Sequence, residues 1–314
     1  MAAEWLYEVG IGENRAALVA DDRILEAAIE LPGTLRLGTV APARLAELGP
    51  GRQGRATLDT GEEVTLDLAP PGVTQGARLS VHIIREAIAE PGRVKLPKAV
   101  ATDEAPRPGP ALLDRITATG HRVRSLLPHQ PDALEAAGWS ELLDEAETGE
   151  IAFSGGALRM SPTPAMTLFD VDGGPPLDRL ALAGATTAAA AIRRHGIGGS
   201  IGIDFPTLSG KADRQAVAAA IDDALPLPFE RTAVNGFGFL QIVRPRPRAS
   251  LPELLRADPV GAAARAVLRQ LEREPSGPPR PHRLAPALLA RIEAEGWDAE
   301  LMRRTGRAPI WDRP

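Results

Sequence analysis

Residues Met166–Gly174 read MTLFDVDGG, an apolar run that ends on two aspartates one residue apart and then on two glycines. A short apolar run bounded by turn residues is the pattern of a buried strand. Asp170 and Asp172 at its end have two readings: a turn, which Asp and Gly favour, or a site at the rim of a sheet. A second stretch, GGSIGIDF at Gly198–Phe205, repeats the pattern with a single acid, Asp204. Between them the Ala-rich segment Thr186–His195 predicts a helix. Arg193, Arg194 and His195 occupy its last turn, and Gly196 follows. If the two strands are parallel neighbours, the crossover is right-handed. Both then end on one edge, and Asp170 faces Asp204.

Two close carboxylates repel unless a cation or a shared proton compensates. Oxygen donors select a hard ion, and Mg²⁺ takes one or two carboxylates plus waters and substrate phosphate. Asp170 and Asp204 suit that role, and Mn²⁺ suits the same donors.

The 314 residues allow two compact units, or one with an inserted module. With aromatics at 4%, the core must rest on Ala, Leu, Val and Ile. No apolar stretch is long enough to span a membrane. No basic segment followed by a long apolar one opens the chain, so no signal peptide is expected and a cytoplasmic location is. The absence of cysteine excludes disulfides, thiolate zinc sites and a Cys nucleophile. Charge is unevenly spread. Asp132–Glu150 holds seven acids and no Lys or Arg, whereas Arg231–Arg248 holds four arginines and no acid. A local basic surface can attract a polyanion even on a protein of net charge −5.

Residues 4–31 alternate as a β-meander with turns at Gly10–Glu13 and Asp21–Asp22. Residues 36–100 continue as short strands divided by Gly and Pro, which predicts a small barrel with a hairpin at Asp59–Glu63. ATDEAPRPGP, residues 101–110, reads as a linker. Helices are expected at Leu112–Leu127, Pro131–Glu147, Asp213–Ala224, Leu251–Leu271 and Ala285–Thr305. TAVNGFGFLQIVRPRP, from Thr232, reads as a strand interrupted by glycines. The histidines form no ligand set, and no complete phosphate-loop pattern occurs. His195 falls at a helix C-terminus, where a cation is favoured.

LFDVDGG, then GGSIGIDF, then NGFGFLQIVRPR, in that order and spacing, resembles the ribonuclease E/G family over roughly residues 150–250. The resemblance implies a mixed α+β chain in five parts. Residues 1–35 would be the opening strands of a ribonuclease-H-like unit, and 36–100 a degenerate OB-type RNA-binding barrel. Residues 101–150 would be a linker and helices in place of a 5′-sensor region, 151–250 a deoxyribonuclease-I-like catalytic domain, and 251–314 a helical extension. It implies that Asp170 and Asp204 bind Mg²⁺ and are catalytic. Asp172 stands where the family has an Asn that orients the first acid, and adds a third candidate metal ligand. Arg244 and Arg246 match a basic pair near the active face. Gly236 replaces an expected Arg, and Gln241 an expected acid.

Lys211 and Arg214 are further candidates for RNA phosphates, as are Arg85, Arg93, Lys95 and Lys98 near the barrel's last strand. Thr57 and Leu66 lie near positions where the family carries stacking aromatics, a loss of about 1–3 kcal/mol per base. Without cysteines the family's zinc-linked tetramer cannot form through thiolates, so a monomer or homodimer is expected. The implied activity is Mg²⁺-dependent hydrolysis of single-stranded RNA to 5′-phosphate and 3′-hydroxyl ends, in RNA processing or decay. The alternative is an RNA- or ribosome-binding protein that keeps the fold with weak or no cleavage. The lost aromatics and missing sensor favour the second reading, and the retained acids the first.

Overall fold

The computed structural model describes residues 2–90, 93–275, 277 and 280–312, without the side chain of Arg93. In chain order come β1 (Glu4–Val9), β2 (Asn14–Ala20), β3 (Arg23–Glu30), β4 (Val40–Leu48), β5 (Gly54–Leu58), β6 (Glu63–Leu66), β7 (Arg78–Arg85), β8 (Ile88–Glu90), β9 (Arg93–Lys95) and β10 (Lys98–Thr102). Then follow α1 (Leu112–Thr117), β11 (Arg122–Ser125), α2 (Ala133–Ala136), α3 (Trp139–Thr148), β12 (Glu150–Phe153), β13 (Gly156–Pro162) and β14 (Thr167–Gly173). The remainder comprises α4 (Leu177–Arg194), β15 (Gly199–Asp204), α5 (Lys211–Ala224), β16 (Glu230–Arg231), β17 (Phe239–Arg244), α6 (Leu251–Ala257), α7 (Pro259–Glu272), β18 (Pro281–Arg283), α8 (Pro286–Ala294), α9 (Trp297–Thr305) and β19 (Ile310–Asp312). The fold is mixed α+β, with several sheets and a closed five-stranded barrel.

The chain divides into two units, each assembled from separated segments: Met1–Thr34, Leu112–Trp139 and Leu254–Pro314 in the first, Leu35–Ala111 and Ser140–Glu253 in the second. The five consecutive parts expected from the sequence are therefore regrouped. The N-terminal strands are completed by residues from the middle and end of the chain, and the barrel belongs with the later sheet.

In the first unit the sheet order is β11-β1-β2-β3, antiparallel except for β11, which runs parallel to β1 with Tyr7 opposite Ser125. The helix expected at Leu112–Leu127 stops at Thr117, and its second half becomes β11. Arg122–Ser125 satisfies backbone groups that β1 would otherwise leave open at a sheet edge. The helices expected at Pro131–Glu147 and Ala285–Thr305 are also broken, at Gly138 and Gly296, whose positive φ a helix cannot continue. Leu251–Leu271 divides at Asp258, whose side chain accepts from Gly261 N and caps α7.

Trp5, Tyr7, Ala16, Leu18, Leu112 and Ile116 form one core of this unit, and Ile11 joins Ala264, Leu268, Leu271, Ile292 and Leu301 in another. Beside them lies a buried ionic network. Arg15 reaches Glu8 at 2.7 Å and Asp132 at 2.6 Å, and Arg273 reaches Glu8 at 2.8 Å. Glu13 accepts from Arg265 at 3.0 Å and from Arg269.

In the second unit the barrel closes in the order β10-β6-β5-β4-β7. Ala43, Leu45, Ala56, Leu58, Val64, Leu66, Val81, Ile83 and Ala99 fill it. Leu66 is thus interior and displays no surface to a base. A six-stranded sheet, order β12-β13-β14-β15-β17-β16, carries α4 and α5 on one face. Ala181, Ala185, Ala188, Ile192, Val217 and Ile221 of these helices pack on Leu158, Phe169, Val171, Ile201, Ile203, Leu240 and Ile242. α4 crosses β14 closely, because Gly184 has no Cβ. One there would lie 2.7 Å from Cγ1 of Val171.

Candidate functional site

β14 and β15 are parallel neighbours, as the strand–helix–strand reading expected, with Asp170 directly opposite Asp204. Side chains alternate across a strand. Phe169, Val171, Ile201 and Ile203 are buried under the helices, while Asp170, Asp172 and Asp204 project from the other face and are exposed. That face is the open side of the sheet. Across it runs one register row: Glu150 on β12, Arg159 on β13, Asp170 on β14, Asp204 on β15 and Phe239 on β17. Strand neighbours lie about 4.8 Å apart, so these side chains stand side by side.

The charges in this row perturb one another. Partial burial and then the nearby Asp172 and Asp204 carboxylates push Asp170 above the usual carboxylate value, and Arg159 opposes the shift. Arg159 donates to Glu150 at 3.0 Å, which, with Asp172 and Asp170, raises its guanidinium further. Asp170 is thus a carboxylate with more negative neighbours than the chain compensates. A carboxylate perturbed by burial and by like charges at a strand end is a candidate functional group.

Among the described residues no group of three or more His, Asp or Glu side chains is arranged to hold a metal ion. Two facing carboxylates are oxygen donors that would suit Mg²⁺ nonetheless, since that ion keeps waters and substrate oxygens in its shell. Asp170 and Asp204 are the pair that would hold it, with Asp172 one pleat away on the same face.

The basic candidates divide. Lys211 opens α5, just after the loop that follows Asp204; it is exposed and makes no ion pair among the described residues. Arg214 braces that loop, donating to Leu208 O at 2.7 Å. Arg244 does not join the acids. β17 runs antiparallel to β15 with Arg244 opposite Gly199, five residues from Asp204, or about 17 Å along the strand. Its side chain also shares the parity of buried Leu240 and Ile242, so it lies on the helix side and donates to Ile197 O at 3.3 Å. Arg246 is held at that same far end by Glu253 and, at 3.7 Å, by Glu90.

The barrel cations are also engaged. Arg85 donates to Leu96 O at 2.7 Å, and burial followed by repulsion from Arg246 lowers its guanidinium. Lys95 pairs with Glu90 at 3.8 Å and Lys98 with Asp67. The Arg93 side chain lies outside the described ones. His195 is fully buried at the end of α4, 3.2 Å from Glu145, and burial lowers its pKa. Burial thus works against the helix-end cation that its position favours, and Glu145 works for it.

Neither models of known protein families nor curated proteins match the chain.

Three members of the row, Glu150, Arg159 and Phe239, are not singled out by the sequence. Arg159 was detectable in GALRMSP, where it falls between the inward residues Leu158 and Met160. Phe239 was not, because nothing local indicates that β17 pairs antiparallel to β15.

Proposed function

We propose that the chain is a Mg²⁺-dependent endoribonuclease of ribonuclease E/G type that hydrolyses single-stranded RNA to 5′-phosphate and 3′-hydroxyl ends. The observation that carries this reading is the register pairing of Asp170 with Asp204 on an open sheet face, with Asp172 on the same face. Such an arrangement gives a polyanionic substrate a reason to approach only together with a cation. A bound Mg²⁺ would neutralise charge at the scissile phosphate and acidify a water. Arg159, next in the row, would hold a phosphate oxygen and orient the strand across the sheet. Lys211 would meet a neighbouring phosphate beyond the end of β15. The closed barrel supports an OB-type reading of residues 36–100, the four-stranded sheet with its parallel β11 a ribonuclease-H-like one, and the helix-backed sheet a deoxyribonuclease-I-like one.

A binding protein without cleavage is the second reading. It is favoured by Arg159, a counter-charge of the chain's own beside Asp170. End-labelled single-stranded RNA incubated with Mg²⁺ or with EDTA decides between the two. Fragments in Mg²⁺ and none in EDTA are expected. RNA bound but intact in Mg²⁺ would leave the binding protein, and RNA neither bound nor cut would remove both.

The same reading predicts which cations meet phosphates. Arg159→Ala should flatten the slope of log affinity against log salt by about 0.7, the value for one single-strand phosphate. Arg244→Ala, on the other face, should leave that slope unchanged. The opposite pattern, measured by fluorescence anisotropy across a salt series, would move the RNA path away from the acids.

A further inference from the structure

Phe237 is 84% exposed, on the loop between β16 and β17. Leaving a phenyl ring in water is costly, and here the backbone holds it out. Asn235 Oδ1 accepts from Phe237 N at 2.9 Å and from Phe239 N at 3.0 Å. Gly238, at φ +96°, lies against the end of β15. A Cβ on it would sit 2.2 Å from Phe205 O, and Phe205 N donates to Gly238 O at 3.2 Å. The loop is thereby fastened to the residue that follows Asp204.

Phe239 continues the feature onto the sheet. It neighbours Asp204 in the register, and its ring lies with Leu168 and Met166 over Gly202, where a Cβ would meet Phe239 Cζ at 2.6 Å, Leu168 Cδ2 at 2.8 Å and Met166 Sδ at 3.0 Å. The row therefore has a cation, Arg159, on one side of the acids and aromatic surface on the other. That is the order a nucleotide requires, with phosphate at one end and a π-face at the other. Residues 36–100, the barrel region, contain no Phe, Tyr or Trp on which a base could stack.

We propose that Phe237, two residues from Phe239, is the stacking platform for the nucleobase flanking the scissile phosphate, and so a substrate-binding residue of the Asp170–Asp204 site. The assignment rests on the endoribonuclease reading above and names a part of its substrate contact.

The test uses single-stranded RNA carrying 2-aminopurine, mixed with the full chain in Mg²⁺ and followed by stopped-flow fluorescence before cleavage. The wild type should quench the probe. Phe237→Ala should lose the quench and weaken affinity about tenfold or more, and Phe237→Trp should keep both. The salt slope should not move, since a phenyl ring releases no counterions. Unchanged quench and affinity in Phe237→Ala, with Mg²⁺-dependent cleavage intact, would overturn the platform and spare the nuclease. Quenching without any cleavage would keep the platform and remove the nuclease. Halving of the solution mass by Phe237→Ala, measured by light scattering, would assign the face to a second copy of the chain and overturn the platform.

Discussion

Asp170→Asn should abolish Mg²⁺-dependent RNA cleavage and at the same time make the protein more stable at neutral pH. Both effects have one origin. Partial burial, then the Asp172 carboxylate on the same strand and the facing Asp204 carboxylate, raise the Asp170 pKa above its unfolded value. A carboxyl raised in this way binds its proton more tightly in the folded state. Stability therefore falls as pH rises from the ordinary carboxylate value through the raised one, and the ionised group is a net cost above it. Asn removes that charge without changing shape. The same substitution removes a negative donor that a cation needs. Loss of a preorganised electrostatic contact of this kind lowers the rate by about 10²–10³-fold, and loss of a direct ligand by at least as much. Asp204→Asn should reproduce the rate loss. Mg²⁺ should raise the thermal midpoint of the wild type and leave that of either variant unmoved, because a ligand stabilises only the state it binds. Wild-type cleavage rates in either variant would end the assignment of the acids.

In the first unit the largest effect is expected from Glu13→Gln. Glu13 is 2% exposed and accepts from Arg265 at 3.0 Å and from Arg269, one turn further along α7. Burial lowers the Arg269 guanidinium, and Glu13 is the foremost influence opposing this. A guanidinium does not deprotonate in a protein. The variant would thus leave both buried cations facing a neutral amide, with Arg265 keeping only the longer contact to Asp258 at 3.7 Å. Removing one partner of a buried ionic group costs about 3–5 kcal/mol, far more than the intact group contributes over an apolar equivalent. For a chain of this size that corresponds to a drop of about 10 °C in the transition of this unit. Arg124→Gln, which removes an exposed pair with Glu4, should shift it by no more than about 1 kcal/mol. Differential scanning calorimetry separates the two outcomes, and equal shifts would mean that the buried network is solvated.

The part of this molecule that could be read along the chain was whatever depends on neighbours in sequence. Alternation in Thr167–Gly173 and Gly199–Asp204 already separates inward Phe169, Val171, Ile201 and Ile203 from outward Asp170, Asp172 and Asp204. The Ala-rich helix between them makes a parallel crossover the simplest connection, so the facing acids were legible too. Arg244 was not. Its side chain alternates just as regularly, but its distance from Asp204 depends on the direction in which β17 adds to the sheet. Antiparallel pairing with β15 sends it to the far end and to the helix side. Leu112–Leu127 shows the same limit. Gly120, at φ +77°, already interrupts the helix, but only the unpaired edge of β1 makes Arg122–Ser125 a strand. The buried charges are the extreme case. Glu13 and Arg265 are 252 positions apart, and each looks like solvated surface until the other is brought to 3.0 Å. Local propensities are worth tenths of a kcal/mol per residue, whereas pairing an open strand edge or neutralising a buried charge is worth several. Where the two compete, the distant partner decides.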